Sequence, residues 1–391
     1  MKKVITLLLA AGLVIGAASA ANAVDIKAKG LWHNAMSFAD RNFEKHNGSD
    51  KMQNATRIRT QIDVIASESL KGVVYFEIGP QNWGKGADGA SLGTDGKVVK
   101  VRYNYVDWVT PQTDAKVRMG LQNFSLPGFA LPNVILGGGG ADGAGITLSY
   151  QFNDMAGMSL FWMRAENDNT TIDRGVGNAM DFVGLSVPLP GEGWQLNPWG
   201  MYGNLGKNSL NEVGENGESL IVGLLPYGQD GVSVVAKDSN NPAWWLGIGG
   251  ELTTFDPLRL AFDFAYGKAD WGKAANGQDL TRQGWLLSGI AEYKLDYVTP
   301  GLIAWYGSGD NSDTMDGSER LPTLSPGWGA TTLGWDGAYG ISDGALLSNT
   351  STGTWGVVDR LADIWFFDER PCVGSQLRFP VQDLREPDAG G

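Results

Sequence analysis

Six basic side chains recur two residues apart in three short segments: Arg57 and Arg59, Lys100 and Arg102, Lys116 and Arg118. At that spacing in an extended chain, both members of a pair share one face. A row of guanidinium and ammonium groups forms no covalent intermediate by itself. What it can do is create a transverse field that orients polar solutes and sets ion preference along a wall. Glu77 and Asp63 sit on neighbouring segments where they would offset part of that field, and Asp142 closes a glycine-rich stretch downstream. The same charges could instead be solvated groups on a soluble sheet, or ion pairs that stiffen a wall.

The segments that must hold these groups alternate with a period of two. In Lys97–Gln122, Val99, Val101, Tyr103 and Tyr105 are read on one side, with Lys100, Arg102 and Asn104 on the other. After Thr110–Asp114 the pattern resumes, Val117, Met119 and Leu121 against Lys116, Arg118 and Gln122. This predicts an antiparallel hairpin with one apolar and one cationic face. Ala55–Ala66 repeats the pattern, Ile58, Ile62 and Val64 against Arg57, Arg59, Gln61 and Asp63. In Gly72–Gly79, Val74, Phe76 and Ile78 oppose Tyr75 and Glu77. From Leu258, a row of Leu258, Leu260, Phe262, Phe264 and Tyr266 opposes Arg259, Ala261, Asp263 and Ala265.

Connection lengths then obey a rule. Short turns at 67–71, 110–114, 153–157, 189–193, 255–257 and 295–299 alternate with long stretches at 40–53, 80–96, 124–142, 167–180, 205–242, 269–281 and 309–351. About fourteen strands, the last at 352–366, with all long connections at one end describe an all-β transmembrane antiparallel barrel better than a soluble sandwich. Trp83, Trp108, Tyr293 and Tyr297 fall at strand ends, where an interfacial aromatic girdle belongs. Trp199, Trp244 and Trp245 could face inward and keep a sugar-stacking channel open as a reading.

The N-terminus predicts export. Lys2 and Lys3 precede an apolar run from Val4 to about Ala18, and Ala21-Asn22-Ala23 is a cleavage site, so residues 1–23 read as a signal peptide. The lone cysteine, Cys372, leaves no intrachain disulfide framework. A net charge of −13 disfavours nucleic acid as a partner.

Motifs for other chemistries are incomplete. Gly137–Gly140 has no Lys-Ser/Thr after it, so it does not read as a phosphate loop. Asp310, Asp313, Asp316 and Glu319 miss the EF-hand spacing and read as a solvated outer loop, or one bridging divalent ions and lipopolysaccharide. The only histidines are His33 and His46, neither placed beside a nucleophile. No enzyme, metal or cofactor is expected.

With these segments in view, the chain resembles the homotrimeric outer-membrane porins of sulfate-reducing, Desulfovibrio-type bacteria. The stretches that carry the likeness are Ala55–Asp63, Val64–Gly79, Gly96–Gln122 and Gly145–Asn169. The resemblance implies a barrel of the sixteen-stranded porin type, with about fourteen strands over residues 24–366 and the last one or two missing or altered, a homotrimer in outer-membrane lipid and lipopolysaccharide, and passive diffusion of small hydrophilic solutes and ions. It also implies that the loop after the fifth strand, 124–142, folds inward and narrows the lumen. That loop carries Pro127, Pro132 and the Gly137–Gly140 run, with Asp142 its single acid. The pore-lining set is then Arg57, Arg59, Glu77, Lys100, Arg102, Lys116, Arg118 and Asp142. Residues 367–391 do not continue the alternation, and a tail left by a frameshift or truncation is expected there, with a natural fourteen-stranded variant as the alternative. A carboxylate- or sugar-selective channel and a non-conducting adhesive barrel are the competing functions.

Overall fold

The computed structural model of the chain describes residues 24–39, 51–93, 96, 99–131, 133–137, 140–166, 179–206, 223–226, 241–274, 276–297, 301–310, 313, 315–324, 333–334, 337–338 and 372–378. The strands are β1 (Asp25–Ala39), β2 (Lys51–Ser67), β3 (Leu70–Asn82), β4 (Lys100–Val109), β5 (Lys116–Phe124), β6 (Ala141–Asn153), β7 (Ala156–Glu166), β8 (Met180–Ser186), β9 (Leu189–Gly191), β10 (Trp194–Leu205), β11 (Asn241–Phe255), β12 (Leu258–Lys273), β13 (Asp279–Tyr293) and β14 (Gly301–Gly307). A two-residue ribbon, β15 (Leu333–Gly334) with β16 (Gly337–Ala338), and β17 (Cys372–Arg378) follow. Apart from that ribbon, all strands form one fifteen-stranded sheet in chain order, with β9 off the main path beside β10 and β17 beside β14. Every pairing between these strands is antiparallel. The expected all-β, antiparallel architecture is the one adopted. Among the described residues no pairing joins β1 to β17.

The sheet is strongly curled. The segment between β5 and β6 touches β12, far round the strand order, so it crosses the concave side. The two faces differ in the way the alternation predicts. On β12, Phe262 and Phe264 are 39% and 38% exposed, whereas Ala261 and Ala265 on either side of them are buried. Along this part of β12 large apolar groups therefore point out and small or charged ones point in, the arrangement that suits hydrocarbon on the outer side.

Four expectations change. First, in β4 the alternation shifts phase. Tyr75 pairs with Tyr103 but Phe76 with Val101, leaving Arg102 as an extra residue. This bulge turns Tyr103, Tyr105 and Asp107 to the charged face and Asn104 to the apolar one, because one added residue reverses every side chain beyond it. Second, 189–193 is not simply a turn: β9 pairs with the start of β10, and β8 with its end. Third, the long loop expected at 269–281 is mostly hairpin. Pairing of β12 with β13 continues to Lys273 and Asp279, and Trp271 and Leu280 are buried there. Fourth, Cys372–Arg378, inside the segment read as a tail, is a strand in full register with β14. The strand expected at 352–366 lies outside the described residues, as do the signal peptide and most of 205–242.

The glycines of the inner face have a packing role. Phe161 is paired directly with Gly184, Phe182 with Gly203, Trp199 with Gly247 and Trp245 with Gly267. In each case a Cβ added to the glycine would come within 2.6 Å of a ring carbon. One strand's ring thus lies flat over the next strand's bare backbone, four times in succession from β7 to β12. The arrangement buries aromatic surface without a bulky cross-strand partner. Replacing Gly184 or Gly267 by Val should therefore displace the ring and cost about 1–3 kcal/mol of folding free energy. Gly72→Ala, where the nearest neighbouring atom is 4.0 Å away, should be nearly neutral. Urea unfolding of the chain in lipid vesicles compares the three.

Candidate functional site

The charged residues gather in two groups on one wall. In the first, Arg59 of β2 stands opposite Glu77 of β3 and donates to its carboxylate at 2.5 Å. Arg102, the bulged residue, reaches the same Glu77 oxygen at 3.4 Å and Asp142 of β6 at 2.6 Å. Asn123 donates to the other Asp142 oxygen at 3.0 Å. Lys100 pairs in register with Glu77, and Arg57 is buried two residues from Arg59. Four cations meet two carboxylates here, so the group is net positive.

The second group surrounds Asp107 of β4. Arg118 grips it with two hydrogen bonds, 2.6 and 2.9 Å, while Lys116 and Lys71 approach it at 3.5 and 3.8 Å. Arg118 also lies over the Tyr105 ring, 4.1 Å from its centroid. Five residues separate Arg102 from Asp107, about 17 Å along the strand. The predicted row is therefore two clusters: Arg57, Arg59, Glu77, Lys100, Arg102 and Asp142 come together, whereas Lys116 and Arg118 sit nearer the short-turn end. These pairs are largely buried on the carboxylate side, so their main effect is to hold the cations in place.

Asp107, Tyr103 and Tyr105, which lie beyond the bulge, escape a strict alternation. Tyr75 and Tyr103 stack with centroids 5.2 Å apart, and Tyr105 follows at 6.5 Å. One signal could have located the bulge: alternation without a slip would aim the Asp107 carboxylate at lipid, a costly placement.

Across the lumen, the loop between β5 and β6 is pinned to the wall. Asp263 of β12 accepts from three consecutive backbone N–H groups: Phe129 at 2.8 and 3.0 Å, Ala130 at 2.6 Å and Leu131 at 2.7 Å. Successive N–H groups in such a turn form a concavity suited to an anion. Gly249, opposite Asp263 on β11, permits the approach, since a Cβ there would lie 2.4 Å from the carboxylate and 2.9 Å from the Phe129 ring. Arg259 donates to the Phe129 carbonyl at 3.4 Å and pairs with Glu251 and Glu292 at 2.9 and 2.7 Å. Within the loop, the Asn133 side chain accepts from the Leu126 N–H at 2.7 Å. Leu126, Leu131, Ile135 and Leu136 are buried in one apolar cluster with Trp199 and Trp245.

The tryptophans thus contribute no sugar-stacking surface. Trp199 and Trp245 do point inward, but they are 7% and 0% exposed beneath the loops. Trp244 packs on the opposite face against Tyr266 at 5.4 Å. Asp310 caps its own segment, accepting from Ser318 at 2.8 Å and the Glu319 N–H at 3.1 Å. Among the described residues, no three His, Cys, Asp or Glu side chains converge as a metal site. No helix among them is long and apolar enough to cross a membrane, which says nothing about crossing by strands.

A scan against protein-family models finds no match, and a search of curated proteins finds none either. Several solved structures are similar to the chain. One is OmpT, an outer membrane protein of Vibrio cholerae in trimer form, at 12% identity and TM-score 0.35, covering 77% of this chain and 94% of that one. Another is a porin at 9% identity and TM-score 0.41, covering 75% and 86%. A third is Salmonella typhi OmpF in complex with daunomycin, at 13% identity and TM-score 0.39, covering 75% and 82%.

If Asp263 docks the loop, Asp263→Leu strands three N–H groups, each at a cost on the order of 1–3 kcal/mol. Amide exchange at Phe129–Leu131 should then accelerate by about a hundredfold or more, at ~1.4 kcal/mol per decade. Asp263→Asn, which keeps one acceptor oxygen, should fall between. Hydrogen exchange read by mass spectrometry checks both.

Proposed function

We propose that the chain forms a water-filled outer-membrane channel through which small hydrophilic solutes and ions diffuse passively. The observation that carries this reading is a charged inner wall, Arg59–Glu77–Arg102–Asp142, in a curled sheet that exposes large apolar side chains such as Phe262 and Phe264 on its outer face and whose inward loop is fastened by Asp263. No step is chemical, and width and wall charge do the filtering. The β2–β6 wall carries a cation excess, while the wall around Arg259 carries Glu251, Glu292 and Asp263. Such a separation of charge gives the lumen a transverse field. In the same reading residues 1–23 direct export, the barrel sits among lipid and lipopolysaccharide, and three copies associate.

Planar-bilayer recording tests the proposal. The purified chain should give a steady, non-saturating conductance with a modest preference for anions. Arg102→Gln should lower the anion-to-cation permeability ratio by about twofold, as loss of one wall charge within a Debye length of about 8–10 Å would. Arg118→Gln, nearer the mouth, should shift the reversal potential less. A silent bilayer, or a reversal potential that ignores Arg102, rejects the reading.

A further inference from the structure

A second segment also occupies the lumen. Beyond β14 the chain returns to the free upper edge of β13: Asp279 N–H donates to Met315 O at 2.9 Å, Ser318 N–H to Thr281 O at 3.0 Å and Gln283 N–H to Ser318 O at 2.8 Å. It then turns across the inner face. Glu319 O lies so close to Gly284 that a Cβ on that glycine would be 2.1 Å away. Two side chains of the inner wall hold the crossing strand of chain. Arg282, 0% exposed, donates to Leu321 O at 3.1 and 3.3 Å and to Leu225 O at 3.2 Å. The Trp245 indole N–H donates to Pro322 O at 2.8 Å. Arg320 links the segment to Asp310 at 3.3 Å and to the Pro226 carbonyl.

This segment is stitched to its neighbours by backbone. Thr323 N–H donates to Gly223 O at 2.8 Å, and Leu324 N–H to Ile135 O at 2.7 Å, in the loop that Asp263 fastens. Leu224, Leu321 and Leu324 join the buried cluster of that loop and of Trp245. Three separate stretches therefore make one dry body against the aromatic-and-glycine wall of β10–β13. Apolar groups packed in this way exclude water, whereas among the described residues the buried cluster includes neither the tyrosines nor the ion-paired residues of β2–β6.

We infer that residues 315–324 act as a second, fixed constriction element, latched by Arg282 and Trp245, which confines the permeation path to the β2–β6 wall. Tyr75, Tyr103 and Arg102, and not the inward tryptophans, are then the specificity-determining groups for permeating solutes. This rests on the channel reading above.

The test is thiol accessibility during bilayer recording, with all variants in a Cys372→Ser background and an anionic methanethiosulfonate as the probe. Tyr103→Cys should be modified with a fall in current. Ala269→Cys, fully buried and paired with Arg282, should react about tenfold or more slowly, since it reacts only when the packed body opens. Adding Arg282→Ala to Ala269→Cys should restore fast modification and raise conductance. Trp245→Phe, which removes one donor, should do so partially, and it serves if the arginine variant does not insert. Equal rates at positions 103 and 269 in a conducting channel would overturn the inference and leave the channel reading standing. Absence of any conductance would overturn both.

Discussion

Three consecutive backbone N–H groups converge on the Asp263 carboxylate, and the interior of this protein depends on that contact. An extended loop inside a barrel has peptide groups that need partners and apolar side chains that water would not retain. Asp263 satisfies the first need at the loop's tip, and the ring-covered wall of β10–β12 satisfies the second. Gly249 makes the contact possible by leaving room beside the carboxylate. With the tip held, Ile135 is placed to accept from Leu324, so the second inward segment is positioned through the first.

The interior is consequently asymmetric. On one side, apolar side chains from three stretches of chain are buried together against the wall. On the other, guanidinium groups are spread among fewer carboxylates and beside half-buried tyrosines. Neither side is held by strong individual ion pairs. Geometry fixes the charges: Arg118 is held by a bidentate contact and Arg102 and Arg259 by bridging ones, so each guanidinium keeps its place on the wall.

Glycine and aromatic content, unusual at the level of composition, finds a local explanation here. A ring lying over a cross-strand glycine thins the wall by a side chain and leaves room for the inserted segments. The same glycines in a two-sided polar sheet would only weaken it. Their value comes from facing inward at positions directly opposite Phe161, Phe182, Trp199 and Trp245.

Period-two alternation and the alternation of connection lengths were local properties, so the antiparallel sheet and its apolar exterior were legible from sequence, whereas the inward position of the stretch after β5 was implied only by the family resemblance. Arg59, Glu77 and Arg102 fell on the right face for the same reason. Three matters needed the folded chain. The bulge at Arg102 is a choice of pairing between two strands, hinted at in the sequence only by the Asp107 carboxylate, and it sends Tyr103, Tyr105 and Asp107 inward. The Asp263 contact joins groups more than 130 residues apart, so nothing local announces it. The covering of Trp199 and Trp245 depends on segments that arrive from elsewhere in the chain, and an inward direction by itself says nothing about whether a side chain meets water.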